Sequence, residues 1–139
     1  MKSEALATHS DEYDWEYEVG EEGRTDVIRW KTLVTGDRTP TRGISFGVLE
    51  IPPGAGLSAH HHPPQEVYHV TEGSGVLLLG DQYIDVKPGS VIYIPERTVH
   101  GIWNRGSETL KFTWIFATDT WAEIEYTRLE ETGEPDTGS

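Results

Sequence analysis

The stretch from residue 54 to residue 73 reads Gly54-Ala-Gly-Leu-Ser-Ala-His60-His61-His62-Pro-Pro-Gln-Glu66-Val-Tyr68-His69-Val-Thr-Glu-Gly73. His60 and His62 are two residues apart in it. Residues two apart in a β-strand point to the same face, so both imidazoles can reach one metal ion while His61 points away. The stretch therefore indicates a strand that carries a metal-binding pair.

A carboxylate follows this histidine pair after a break in the strand. Pro63 and Pro64 bend the chain, because proline fixes its own backbone angle and restricts the residue before it. A strand that resumes at Gln65 places Glu66 and Tyr68 on one face. If Glu66 faces the ion, Tyr68 faces the same cavity.

A second segment, residues 89–104, supplies one more histidine beside a turn that contains proline. Three histidines and a carboxylate offer neutral nitrogen and hard oxygen donors. Such donors suit one divalent transition metal ion (iron, manganese, nickel, cobalt or zinc), with room left for water or substrate. The chain has no cysteine, so a closed thiolate zinc site is excluded. The candidate metal ligands are His60, His62, Glu66 and His100.

Two gapped motifs in these segments resemble those of the cupin superfamily. The first, G-x5-H-x-H-x3-E-x6-G, is matched by Gly54, His60, His62, Glu66 and Gly73. The second, G-x5-P-x-G-x2-H-x3-N, is matched by Gly89, Pro95, His100 and Asn104. Arg97 stands where the family usually has glycine, so we expect an ordinary right-handed turn there. The resemblance implies an all-β, single-domain cupin, which is a jelly-roll or double-stranded β-helix barrel.

The rest of the chain agrees with an all-β fold. Many short segments of strand periodicity, separated by glycine and proline, indicate a β-sandwich or barrel. Residues 13–19 alternate aromatic or aliphatic with acidic side chains, as in an edge strand that covers core or pairs with a partner chain. We therefore expect a barrel over 13–129, a mobile acidic N-terminus over 1–12 and a disordered acidic tail over 130–139.

Charge and hydropathy restrict the partners. The formal net charge is -13, and much of it lies in residues 1–26, which contain nine acidic and two basic side chains. Such acidity argues against nucleic acid or an anionic membrane as a partner. No apolar run reaches membrane-spanning length and no signal-peptide pattern is present, so we expect a cytoplasmic protein. The aromatic edge strand favours a homodimer. We expect the other partner to be a small-molecule substrate.

Beyond the metal motifs, the chain is similar to the short single-domain cupin lyases that cleave dimethylsulfoniopropionate (DMSP). The similarity runs from about Arg29 to Tyr126 and includes the strand around Trp114. It implies a metal-dependent carbon–sulfur lyase for a small β-substituted carboxylate, which converts DMSP to dimethyl sulfide and acrylate. It also assigns the base to Tyr68. The aromatic faces of Trp114 and Tyr126 are candidates for binding the sulfonium by cation–π attraction.

Two other functional classes stay open at this point. Cupins with the same four ligands include iron-dependent dioxygenases, and others bind a metal or a small molecule without turnover. The aromatic candidates also have a plain structural interpretation, because large aromatics dominate β-cores. Tyr68, Trp114 and Tyr126 are therefore either site residues or packing residues.

Overall fold

The computed structural model describes residues 3–136, which form two antiparallel β-sheets that face each other. The six-stranded sheet has the order β1-β2-β3-β10-β5-β8, and the five-stranded sheet has the order β11-β4-β9-β6-β7. Two single 3₁₀ turns, Ser10–Glu12 and Trp121–Glu123, complete the regular structure of this part of the chain. The strands are β1 (Glu16–Tyr17), β2 (Arg29–Val34), β3 (Ser45–Ile51), β4 (Gly56–His61), β5 (Glu66–Glu72), β6 (Gly75–Leu79), β7 (Gln82–Val86), β8 (Val91–Ile94), β9 (His100–Trp103), β10 (Leu110–Phe116) and β11 (Thr127–Arg128).

The core lies between the two sheets and follows the predicted alternation. In β10 the even-numbered side chains are buried and the odd-numbered ones are half-buried on the outer face. In β5, Glu66, Tyr68 and Val70 are buried together, which confirms that they share a face. Each large apolar side chain that leaves water contributes about 1.5–3 kcal/mol to the free energy of unfolding. The all-β prediction is confirmed by this architecture.

A glycine in β3 allows a tryptophan to pack close to the backbone. A Cβ atom at Gly47 would overlap the backbone oxygen of Lys31 and the ring of Trp114. We expect Gly47→Ala to lower the free energy of unfolding by about 1–3 kcal/mol, because overpacking displaces ring and backbone. Urea unfolding measures the loss, with Gly106→Ala as control, since the nearest atom there is 3.4 Å from the added Cβ. Equal stability of the two variants would contradict the prediction.

Both ends of the described chain contact the barrel. On the N-terminal side, Lys31 Nζ donates to the Ser10 carbonyl at 2.9 Å, although the sequence predicts a mobile segment over 1–12. On the C-terminal side, the sequence predicts disorder over 130–139. There, however, Ala59 N donates to the Thr132 carbonyl at 2.5 Å and Tyr83 Oη to the Gly133 carbonyl at 2.8 Å. Residues 1–2 and 137–139 lie outside the described residues.

The turn at Arg97 differs from the sequence-based expectation. The right-handed turn expected at Arg97 is wrong, because its φ is 57° and therefore left-handed. Its N–H donates to the His62 carbonyl at 2.9 Å, so the turn is held against the loop that carries a candidate ligand. No helix within residues 3–136 is long and apolar enough to span a membrane.

Candidate active site

Three of the four predicted metal ligands, His60, His62 and His100, form one group between the sheets, and Glu66 lies beside two of them. His60 in β4 pairs directly with His100 in β9, and their ring centroids are 4.2 Å apart. His62 follows β4, and Glu66 begins β5 in the opposite sheet. All four side chains are buried. The folding pattern therefore brings together residues that are up to forty positions apart in the sequence.

Each of the three histidines is held by a backbone carbonyl two residues away in the sequence. The Nδ1 distances to the carbonyl oxygens of Ser58, Pro64 and Thr98 are 2.7 Å for His60, 2.9 Å for His62 and 2.8 Å for His100. A carbonyl oxygen only accepts, so each Nδ1 donates its proton. In a neutral imidazole this leaves Nε2 with a free lone pair. The outer hydrogen bonds thus orient all three Nε2 atoms for metal binding, as is common in metal sites.

The Glu66 carboxylate lies close to the Nε2 atoms of two of the histidines. Glu66 Oε1 is 3.1 Å from His62 Nε2 and 3.3 Å from His100 Nε2. With Nδ1 protonated and the ring neutral, neither nitrogen has a proton to donate to the carboxylate. Ligands about 2.1 Å from one ion and at right angles lie roughly 3 Å apart, so these spacings match cis ligands of a shared cation. The three histidine ligand atoms are all within 4.8 Å of one another.

Two further properties of the cluster fit a cation. His100 Nε2 is buried and has no hydrogen-bond partner among residues 3–136, and an orphaned buried polar atom is costly. Burial, with the neighbouring His100, lowers the pKa of His60 to about 4, so this imidazole is neutral near pH 7. Metal ligation requires the neutral form. The buried histidines and the carboxylate are therefore suited to hold one metal ion.

A cavity of about 410 Å³ adjoins this cluster. Its walls are mainly aromatic and aliphatic, with His60 and Glu66 among them. The three aromatic site candidates all line this cavity. They are Tyr68, Trp114 and Tyr126.

Tyr68 lies deep in the cavity wall. Its side chain is buried, and its ring centroid is 4.4 Å from that of Phe112 and 6.2 Å from that of His100. Burial, the Glu66 carboxylate and Tyr126 raise the pKa of the Tyr68 hydroxyl well above its usual value. The ring therefore has both a packing contact and a position near the ligand cluster.

Tyr126 and Trp114 occupy different parts of the cavity. The Tyr126 ring centroid is 5.8 Å from that of His60 and 5.2 Å from that of His62, so this ring lies beside the cluster. Burial and the Glu66 carboxylate raise the pKa of the Tyr126 hydroxyl. Trp114 is buried in the wall, so it can serve both core and cavity.

Sequence reasoning missed a second group of cavity residues. Trp30 and Trp121 line the cavity and make an edge-to-face contact, with ring centroids 6.3 Å apart. Trp30 lies in β2, where burial does not alternate from residue to residue, so strand periodicity does not place its side chain. Trp121 lies in a 3₁₀ turn, where no periodicity indicates which way a side chain points.

Comparisons with known proteins agree with this fold. The family model described as "Cupin domain" matches residues 47–116. The chain is 35% identical over 99 residues to dimethylsulfoniopropionate lyase DddW from Ruegeria pomeroyi, an alignment that covers 71% of this chain and 64% of DddW. The chain thus spans a little under two thirds of the length of that relative.

Solved structures with the same fold are more distant in sequence. The polyketide cyclase RemF from Streptomyces resistomycificus has a TM-score of 0.71 and 23% identity, with 93% of this chain and 89% of that chain covered. A structure from the DMSP lyases RdDddP and RnDddQII has a TM-score of 0.68 and 18% identity, with coverage of 85% and 63%. These similarities show the fold.

Proposed function

The chain belongs to the cupin family, and on that premise we propose that it is a metal-dependent carbon–sulfur lyase. Its substrate in this proposal is a small β-substituted carboxylate, with DMSP as the best candidate. The observation that carries the proposal is a buried cluster of metal ligands beside an aromatic cavity. The 35% identity to a DMSP lyase supports the choice of reaction.

The ligand cluster supplies the first part of the mechanism. His60, His62, Glu66 and His100 would hold the ion. When bound, the ion would polarise the substrate carboxylate, make the α-proton more acidic and favour the phenolate of a nearby tyrosine. The chain itself holds the imidazoles in the required tautomer through their Nδ1 hydrogen bonds to backbone carbonyls.

The second part is removal of a proton. In this proposal Tyr68, which is buried next to the cluster, acts as the base in its phenolate form. The phenolate oxygen takes the α-proton and becomes a neutral hydroxyl. The electrons of the broken C–H bond form the new carbon–carbon double bond. The β-carbon–sulfur bond breaks and its electron pair leaves with sulfur. The sulfonium becomes neutral dimethyl sulfide, the carboxylate product is acrylate, and no oxidant is needed.

The third part is binding of the sulfonium. Trp114 and Tyr126 present aromatic surface to the cavity, and a cation near such a ring is stabilised by about 0.5–2 kcal/mol. Trp114 is buried whereas 42% of Tyr126 is exposed, so the attraction is stronger at Trp114, where less water screens it.

Metal reconstitution tests this proposal. Metal-free protein is supplied in turn with iron, manganese, nickel, cobalt and zinc, and headspace dimethyl sulfide is measured with DMSP. We expect release with at least one metal and none from the metal-free protein. A His61→Ala variant is a matched control, because His61 neighbours two ligands and is absent from the cluster. No release with any of the five metals would contradict the lyase.

An iron-dependent dioxygenase is the second candidate. The same donor set suits iron(II), and the largely apolar cavity wall would accept an apolar substrate. Such an enzyme would consume oxygen with iron and lose activity with zinc, which an oxygen electrode distinguishes from a lyase.

The homodimer and the cytoplasmic location predicted from the sequence stay predictions. β1 lies at an edge of the six-stranded sheet, where a second copy could extend the sheet. Light scattering during size-exclusion chromatography measures the mass of the assembly. A mass near that of two chains would support the dimer.

A further inference from the structure

The cavity extends far beyond the metal-ligand cluster. Across the sheet, Tyr68 in β5 pairs with Trp114 in β10. Phe112, also in β10, pairs with Leu49 in β3, which in turn pairs with Trp30 in β2. Neighbouring strands are about 4.8 Å apart, so β2 is three strands, or roughly 14 Å, from β5. The cavity of about 410 Å³ spans this distance. Pockets for drug-sized ligands range over about 300–1,000 Å³, so this cavity has space for more than a propionate derivative.

The far end of the cavity is apolar. Trp30, Leu49 and Trp121 line it, and the two indole rings meet edge to face. Trp121 Nε1 donates to Thr32 Oγ1 at 2.9 Å, so its one polar group is already used by the wall. The ring therefore offers carbon surface to a ligand.

The charge nearest this end belongs to an ion pair, because Glu18 directly follows β1, which pairs with β2. Among the lining residues, Glu66 and His60 belong to the ligand cluster, and Glu18 and Arg128 are more than half exposed. Glu18 Oε1 and Arg128 Nη2 are 3.8 Å apart, so their charges largely cancel. The far end thus matches an uncharged group rather than an ionic one.

We infer that Trp30, Leu49 and Trp121 form a second subsite, the tryptophan subsite, which binds an uncharged apolar group of the substrate. The substrate class is then a β-substituted carboxylate that carries an extended apolar substituent, and DMSP would fill only the metal end of the cavity. This inference rests on the proposed function only in placing the carboxylate at the metal end. The substituent crosses the cavity from β5 towards β2.

Binding of straight-chain carboxylates tests the tryptophan subsite. Zinc-loaded protein is titrated calorimetrically with propionate, hexanoate and octanoate. We expect affinity to rise with chain length, by up to about fourfold for each CH₂ group that leaves water inside the cavity. This binding measurement needs no turnover, so an affinity that rises with chain length is independent of the lyase reaction.

Two variants act on the subsite in different ways. Leu49→Trp fills it, and Trp121→Ala removes one wall. Each is expected to weaken octanoate binding at least tenfold while propionate binding stays unchanged. Trp15→Ala is the matched control, because Trp15 stacks on Arg29 at 3.8 Å and does not line the cavity. The use of two variants guards against one that fails to fold.

Several results would overturn the inference. One is equal affinity for propionate and octanoate. Another is that Leu49→Trp and Trp121→Ala both still bind octanoate more tightly than propionate, by the same factor as the natural protein. Tighter binding of 6-(trimethylammonio)hexanoate than of octanoate would overturn the uncharged character of the group. If the protein releases dimethyl sulfide but its affinity does not rise with carboxylate chain length, the lyase proposal is supported and the subsite is contradicted. If affinity rises with chain length but no dimethyl sulfide is released, the subsite is supported and the lyase proposal is contradicted.

Discussion

Tyr68→Phe is expected to lower DMSP turnover by about 10²–10⁴-fold, the range typical of general-base catalysis, while metal content stays unchanged. The substitution removes the oxygen that, as a phenolate, would accept the α-proton. It keeps the ring, which packs with its centroid 4.4 Å from that of Phe112. Fold and cavity should therefore survive.

Turnover per bound metal is the measurement that checks this expectation. Tyr93→Phe is the matched control, since it makes the same chemical change on the outer face of β8, where Tyr93 is exposed. If Tyr68→Phe is as active as the natural protein, the base lies elsewhere. Tyr126→Phe is then the next variant to measure, because that ring also lies beside the ligand cluster.

His100→Ala is expected to weaken metal binding by more than ~100-fold, beyond the 10–100-fold typical of losing an outer-shell partner. The reason is that His100 Nε2 is a fully buried donor atom with no other partner among the described residues. Its loss would also leave Glu66 with one fewer neighbouring ligand.

Metal content after dialysis against a chelator measures this loss. His69→Ala is the control, because His69 lies in β5 with its side chain exposed. The control should keep its metal and its turnover. Full metal occupancy in the His100→Ala protein would show that the ion is held in another way.

Period two predicted the shared face of Glu66 and Tyr68 in β5, and the structure buries both. Burial of alternate residues in β10 follows the same rule. These features depend on local backbone geometry, which the sequence encodes directly. His60 and His62 are also both buried, but His62 lies just beyond the end of β4, so strand periodicity alone does not place it.

Other features depend on contacts between distant segments. The left-handed backbone at Arg97 costs about 1–2 kcal/mol in a non-glycine residue, and the hydrogen bond to the His62 carbonyl accompanies it. The Gly133 carbonyl accepts a hydrogen bond from the Tyr83 hydroxyl, fifty residues away in the sequence, and local hydrophobicity does not predict such a contact. Trp121 reaches the cavity from a 3₁₀ turn, so no repeating pattern points to it.

The most direct test of the central claim is proton NMR of metal-loaded protein with DMSP under argon. The account predicts vinyl signals of acrylate and the methyl signal of dimethyl sulfide in equal molar amounts, at a rate proportional to bound metal. Intact DMSP after prolonged incubation with every metal would contradict it. So would product that forms only after oxygen is admitted.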